Sequence, residues 1–208
     1  FRSSKEERDD AIGKFGIGFV SVFAVEPELV VVDTSTGDGA RFTLHLHPDQ
    51  SWDLFRTEGA KAKGTTVTLH LALAKQEHAG FVDRSAAALR RWCRHARVPI
   101  QLVAIADGSP DPLRDERVDT ELGLDDALVS VVARSADGLT EVAAGIGAQS
   151  ESRGAFYNQG LLLAEVKDHG HGAVLFKVSD KRLEHTLSRD DVRRDASYQR
   201  AVELVERT

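Results

Sequence analysis

The run Ile12-Gly13-Lys14-Phe15-Gly16-Ile17-Gly18-Phe19-Val20-Ser21-Val22-Phe23 places three glycines within six residues at the entrance to an apolar stretch. Such a loop can turn several backbone N–H groups and the positive end of a helix dipole toward one phosphate. Glycine suits that task because it reaches positive φ and carries no side chain to hold an anion away. The chemistry this allows is phosphate binding, foremost of a nucleotide. Two familiar phosphate loops do not fit. The dinucleotide fingerprint needs a buried strand just upstream, whereas Arg2-Ser3-Ser4-Lys5-Glu6-Glu7-Arg8-Asp9-Asp10 is polar and charged. A Walker-type loop needs a Gly-Lys-Ser/Thr ending, and none follows. Plain packing of a turn against a helix is the competing reading of the same glycines.

Other reactive side chains are sparser. His45 and His47 share one strand face, and His169-Gly170-His171 sits in a turn. A metal site needs a third ligand and supporting partners, so these histidines read as exposed side chains and no metal is expected. Cys93, the single cysteine, lies among apolar and arginine residues on a helical pattern and reads as a buried structural thiol. Arg90-Arg91-Trp92-Cys93-Arg94-His95-Ala96-Arg97 reads as the solvated face of that helix, with phosphate or an acidic partner as the alternative.

The elements that must position these residues follow from pattern. A short apolar helix is predicted over 16–25, stopped near Pro27. Strands are predicted over 28–34 and 40–47, joined at Thr36-Gly37-Asp38-Gly39. A looser segment through Trp52 and Phe55 leads to a further strand that starts at Gly64. Composition changes at Ala74-Lys75-Gln76-Glu77-His78, which divides a helix-plus-antiparallel-sheet block, 1–74, from an α+β block, 75–208. In the second block a helix is predicted over 81–97. Strands are expected at 99–106, 127–134, 141–148, 155–166 and 173–178, with 107–119 as a Pro/Asp-rich loop. Tyr157-Asn158-Gln159-Gly160 reads as a turn near a domain interface. A last helix is predicted from Ser188, where Ser188-Arg189-Asp190-Asp191 resembles a capping box, with Val192, Ala196, Val202 and Val205 on its buried side.

Composition narrows the classes. The 208 residues suit one large domain or two small ones. A net charge of −6 argues against broad attraction to nucleic acid or anionic membrane. No run reaches membrane-span length and no signal-peptide pattern opens the chain. One cysteine excludes an internal disulfide and fits a reducing cytoplasm. The chain contains no methionine and opens on Phe1, so it reads as a piece of a longer protein.

With these motifs in order, the chain resembles the heat shock protein 90 chaperones of the GHKL ATPase superfamily. The stretch from Ile12 to Phe23 is similar to that family's second phosphate-binding box, I-G-Q-F-G-V-G-F-x-S-x-F. Gly64-Thr65-Thr66-Val67-Thr68-Leu69-His70-Leu71 is similar to the third box, G-T-x-[IV]-x-L-H-L. Leu183-Glu184-His185-Thr186-Leu187-Ser188-Arg189 resembles the middle-domain segment L-P-L-N-x-S-R, chiefly through its last three residues. The resemblance implies the C-terminal half of a Bergerat-type helix-on-antiparallel-sheet domain followed by an α/β middle-type domain. It implies ATP as ligand, with Gly13, Phe15, Gly16, Ile17, Gly18 and Phe19 lining the triphosphate and Thr65 near the adenine. It implies that Arg189 reaches the γ-phosphate like an arginine finger, a task suited to an always-charged, forked guanidinium. Client proteins, a homodimer of the full-length protein and a cytoplasmic stress-response role come with it.

Departures are part of the reading. Lys14 replaces the family's glutamine and either adds a phosphate contact or projects into solvent. Arg193 stands where the family tends to carry glutamine and is either a second phosphate contact or surface charge. The first box, with its glutamate base, magnesium-binding asparagine and adenine-reading Asp-x-Gly-x-Gly, has no match, so the Mg2+ ligand is expected upstream of this chain. This piece alone is expected not to hydrolyse ATP. The alternatives are a non-catalytic interaction or scaffold module on a GHKL remnant, and a DNA-acting GHKL ATPase, which the acidic charge disfavours.

Overall fold

The computed structural model describes residues 18–59, 62–106, 109, 111–149, 151–167, 172–186 and 191–208. The chain divides into two compact units, Phe1–His78 and Ala79–Thr208.

In the first unit, the short apolar helix expected over 16–25 is a 3-10 helix over Gly18–Val25. Val20, Val22, Phe23 and Val25 are β-branched or aromatic and lose side-chain freedom in an α-helix. Glu26, at φ 51°, and Pro27 then end the element. The strands β1 (Leu29–Ser35), β2 (Ala40–Leu46), β3 (Trp52–Glu58) and β4 (Gly64–His70) follow. They form one antiparallel sheet in the order β3-β2-β1-β4. β3 corrects the looser segment expected there: pairing with β2 supplies the order that its mixed Trp52-Asp53-Leu54-Phe55-Arg56 pattern does not signal.

Register sorts the side chains of this sheet onto two faces. Across it, Trp52, Leu46, Val30 and Leu69 form one row, and Leu54, Leu44, Val32 and Val67 the next. Arg56, Phe42, Thr34 and Thr65 form a third row on that face. The opposite face is mostly polar, with Leu29, Val31 and Phe55 among its residues, and Asp33 and Arg41 are joined there by a two-pronged ion pair. Of the residues in these strands, Val30 and Ser35 alone are buried, while Trp52 is 62% and Leu54 56% exposed.

The second unit opens with α1 (His78–Cys93), which starts and stops a few residues ahead of the predicted helix. β5 (Gln101–Ile105) pairs with β6 (Pro112–Arg117) in a two-stranded sheet. β6 lies where a loop was expected. Its charged residues hid it: Arg114 bonds Asp83 of α1 at 3.0 Å, and Glu116 bonds Arg90 at 2.5 Å. Next come β7 (Ala127–Arg134), β8 (Thr140–Gly147), β9 (Arg153–Asn158), β10 (Leu161–Lys167) and β11 (Val174–Asp180). They form a mixed sheet in the order β10-β9-β11-β8-β7, antiparallel except between β9 and β11. β9 and β10 replace the single strand expected at 155–166. Gln159 (φ 49°) and Gly160 (φ 85°) make a two-residue hairpin with both central residues at positive φ, the form that matches strand twist.

The chain ends in α2 (Ala196–Arg207), capped by Asp195, whose carboxylate accepts from the N–H groups of Ser197 and Tyr198. The helix expected from Ser188 therefore begins eight residues later. Val192 is buried, but in an isolated bridge with His185 and not on a helix, and Ala196 is exposed. A β-bridge that anchors a core residue outcompetes one marginal first turn. α2 packs on β8 and β11. Its Ala201 and Tyr198 join Val142, Phe156, Phe176, Val178, Leu183 and Val192 in the core of the unit. Phe156 meets Phe176 edge-on at 5.6 Å and Tyr198 at 5.0 Å.

Candidate functional site

Gly13, Lys14, Phe15, Gly16, Ile17 and Arg189 lie outside the described residues, as do His169 and His171. Gly18 and Phe19 open the 3-10 helix of the first unit, with Phe19 exposed. Thr65 follows Gly64 at the start of β4, beside Thr34 on β1. The two hydroxyl oxygens are 2.8 Å apart, and Thr34 also donates to the Gly64 carbonyl at 3.4 Å. Either hydroxyl can donate to the other; where Thr34 donates to Gly64, Thr65 donates to Thr34 and keeps its lone pairs as acceptors. Thr65 is exposed, on the same face as Phe42 and Arg56. That places a hydrogen-bonding hydroxyl at the margin of an apolar surface, the setting in which a flat amino-bearing ring can be read.

In the second unit, residues 183–186 and 191–193 are joined to one another. Leu183 and Val192 are buried, Thr186 N–H donates to Asp191 carbonyl at 2.9 Å, and Arg193 N–H donates to Glu184 carbonyl at 2.8 Å. The Arg193 side chain is exposed, 3.5 Å from Glu184 and 3.8 Å from Asp195. It is therefore balanced by local carboxylates.

Of the arginines of 90–97, Arg90, Arg91 and Arg97 are exposed, as a solvated face requires, and Arg94 is half-buried. Arg90 meets Glu116, Arg91 meets Glu165 at 2.7 Å, and Arg94 meets Asp125 at 2.7 Å. Each pair ties the end of α1 to a different element of the unit. Cys93 is half-buried, and burial raises its thiol pKa, as expected of an unreactive cysteine.

Sequence reading missed the polar seam beside this cluster. His95 is buried, with Nδ1 3.2 Å from the Thr120 carbonyl and Nε2 3.0 Å from Lys177 Nζ. Nδ1–H donates to Thr120, so Nε2 accepts from the lysine and the imidazole is neutral. Burial first, then the Lys177 charge, lowers the pKa of His95. Burial also lowers that of Lys177, against the pull of Asp125 at 3.9 Å. Tyr157 stacks edge-on against His95 at 5.1 Å, and burial pushes its phenol up to about 12. Gly160 is required here, because a Cβ would stand 1.6 Å from the His95 carbonyl oxygen. The signal available in sequence was Lys177 itself, a lone charge inside the apolar run Val174-Leu175-Phe176-Lys177-Val178.

A second buried polar group surrounds Asp180. Burial raises its pKa, but hydrogen bonds from Arg182 and from Thr140 at 2.6 Å outweigh this, leaving it lowered. Every lone pair of interest is matched within the fold, so this cluster is structural. Among the described residues no three His, Cys, Asp or Glu side chains gather into a metal site. No described helix is long and apolar enough to cross a membrane.

No family model matches the chain. It is similar to the chaperone protein HtpG of Anaplasma marginale, at 31% identity over 115 residues, 54% of this chain and 17% of that protein. With HtpG of Anaplasma phagocytophilum it shares 35% over 75 residues, 36% of this chain and 11% of that protein. HtpG of Alkalilimnicola ehrlichii gives 31% over 112 residues, 51% and 17%. The chain thus shares sequence with HtpG chaperones, of the heat shock protein 90 family, over about half its own length. The matched part is less than a fifth of those relatives.

Proposed function

We propose that this chain is part of an ATP-dependent chaperone of the heat shock protein 90 type, built on a GHKL nucleotide-binding domain and a middle-type domain. The observation that carries the reading is the shared sequence with HtpG chaperones. The acceptor lone pairs of Thr65 beside an apolar sheet face support the adenine end of it. In this reading the N–H groups of Gly13, Gly16, Ile17, Gly18 and Phe19, with Phe15 shaping the loop, hold the phosphates, and Lys14 adds charge. Arg189 stabilises charge on the γ-phosphate, and Arg193, paired with Glu184 and Asp195, is surface charge in this reading. Mg2+ neutralises phosphate charge when bound, and no described residue is assigned to it. Hydrolysis is proposed of the whole protein, since no glutamate base or magnesium-binding asparagine in the family's pattern occurs in these 208 residues.

ATPase kinetics on the full-length protein test the assignment. Arg189→Ala is expected to lower kcat by about a hundredfold or more while KM changes little, as for loss of a transition-state contact. Unchanged turnover removes Arg189 from the mechanism. The exposed apolar sheet face favours a second reading, a non-catalytic interaction module on the same framework. A full-length protein that binds no ATP would establish that reading in place of the first.

A further inference from the structure

β7 is the terminal strand of the second unit's large sheet. Alternate N–H and C=O groups of a terminal strand face away from its neighbour and can take up another strand. The strand is apolar on both sides: Leu128 and Val129 are each 71% exposed, and Val131 and Val132 about half exposed. Native sheets commonly blunt such an edge with lysine, proline or a bulge; 127–133 contains no lysine or proline, and its bulge, between Ala127 and Val129, lies at one end and leaves 129–133 regular.

The strand is also self-complementary. Read outward from Ser130, Val129 answers Val131, Leu128 answers Val132, Ala127 answers Ala133, and Asp126 answers Arg134. A twofold axis through Ser130 and normal to the sheet opposes Val129 to Val131 in two antiparallel copies and brings the rest of each apolar run against the other. Apolar side chains then meet apolar ones, and a carboxylate meets a guanidinium at both ends. Shifting the register by one residue would oppose side chains from opposite faces. The pairing of β7 with β8 slips between Ala127 and Val129, which adds one residue at that end. The second copy's Arg134 then falls against the Asp125–Asp126 pair. Arg134 already lies 2.9 Å from Glu141, and its five donors serve both contacts. On one face of β7 a groove of about 500 Å³ is lined by Val129, Val131, Ile146, Val174 and Val205. The second copy's Val129 and Val131 extend its apolar wall.

We propose that β7 pairs antiparallel with β7 of a second copy of this chain, continuing one sheet across a twofold axis at Ser130. The inference is independent of the ATPase reading. Two short edges bury less than the ~1,200 Å² of a standard interface, so the association is weak and concentration-dependent.

Sedimentation equilibrium of the 208-residue chain is expected to show a monomer–dimer equilibrium. Asp126→Arg and Arg134→Asp should each weaken it about fivefold or more, and the double variant should recover most of the loss. Ser130→Cys should yield a disulfide dimer under mild oxidation, whereas Leu128→Cys, which lies off the axis, should not. Circular dichroism confirms that each variant folds. A chain that stays monomeric throughout the range overturns the proposal. So does a dimer indifferent to both charge reversals, which would place self-association on another surface, such as the apolar face of the first sheet. Capture of extended apolar peptides at β7 without self-pairing also overturns it.

Discussion

The two sheets obey the same alternation and end in opposite states. In the first, Val30, Leu44, Leu46, Leu54, Val67 and Trp52 share one face, yet of these Val30 alone is buried. In the second, Val142, Phe156, Phe176 and Val178 share a face and all are buried, because α2 lies over them. Its other face carries Ala155 and Tyr157, packed with Leu122, and Lys177 beside His95. Period-2 patterning decides which side chains stand together. Whether they leave water depends on a second layer.

The contrast can be broken most forcefully in the covered sheet. Phe156→Ala removes the ring that joins β9 to Phe176 and Tyr198 and should destabilise the second unit by about 3–5 kcal/mol. Chemical denaturation followed by circular dichroism reads the loss, and a change under about 1 kcal/mol would show that this core is not the cohesive element.

Gly160→Ala is the next largest. The added methyl meets the His95 carbonyl and the φ of 85° strains any side chain, for an expected cost of roughly 2–4 kcal/mol. Hydrogen exchange should show the β9–β10 hairpin and the end of α1 losing protection together.

The His95–Lys177 seam sharpens the comparison through pH. The folded-state pKa of His95 lies below its ordinary 6.5, so the unfolded chain takes up the proton first. Its contribution is fully present above about pH 6.5 and is lost as the pH falls from there towards the lowered folded value. The denaturation midpoint of the wild type should drop between pH 7.5 and 5.5, and His95→Gln should drop less. Equal slopes for the two proteins would separate this imidazole from the acid response.

The smallest effect belongs to the open sheet. Leu54→Ser replaces a side chain that is already mostly in water and should change stability by no more than about 0.5 kcal/mol. Dye binding to exposed apolar surface should nonetheless fall. A large destabilisation would mean that the face supports the first unit after all.

Legibility in the sequence followed the same division. β1, β2, β4 and β7 stood out because their apolar residues alternate or run together between turn residues. β3 and β6 did not, since their order comes from partners and not from their own charged patterns. The start of α2 was misplaced because Ser188-Arg189-Asp190-Asp191 imitates a cap, while Asp195 makes the bonds. For the candidate site, Thr65 was legible from its motif, but its hydrogen bond to Thr34 spans strands that only folding brings together. His95 and Lys177 are 82 positions apart, and no local pattern links them.

Sequence by itself determined the glycine loop, the apolar alternation of the strands, the acidic balance and the likeness to HtpG chaperones, because each is a property of neighbouring residues. Tertiary structure alone decided which apolar face is covered, which histidine is buried against a lysine, and which strand ends its sheet with a self-complementary edge. Those depend on partners brought from distant positions, whose contacts are set by packing and register and not by local propensity.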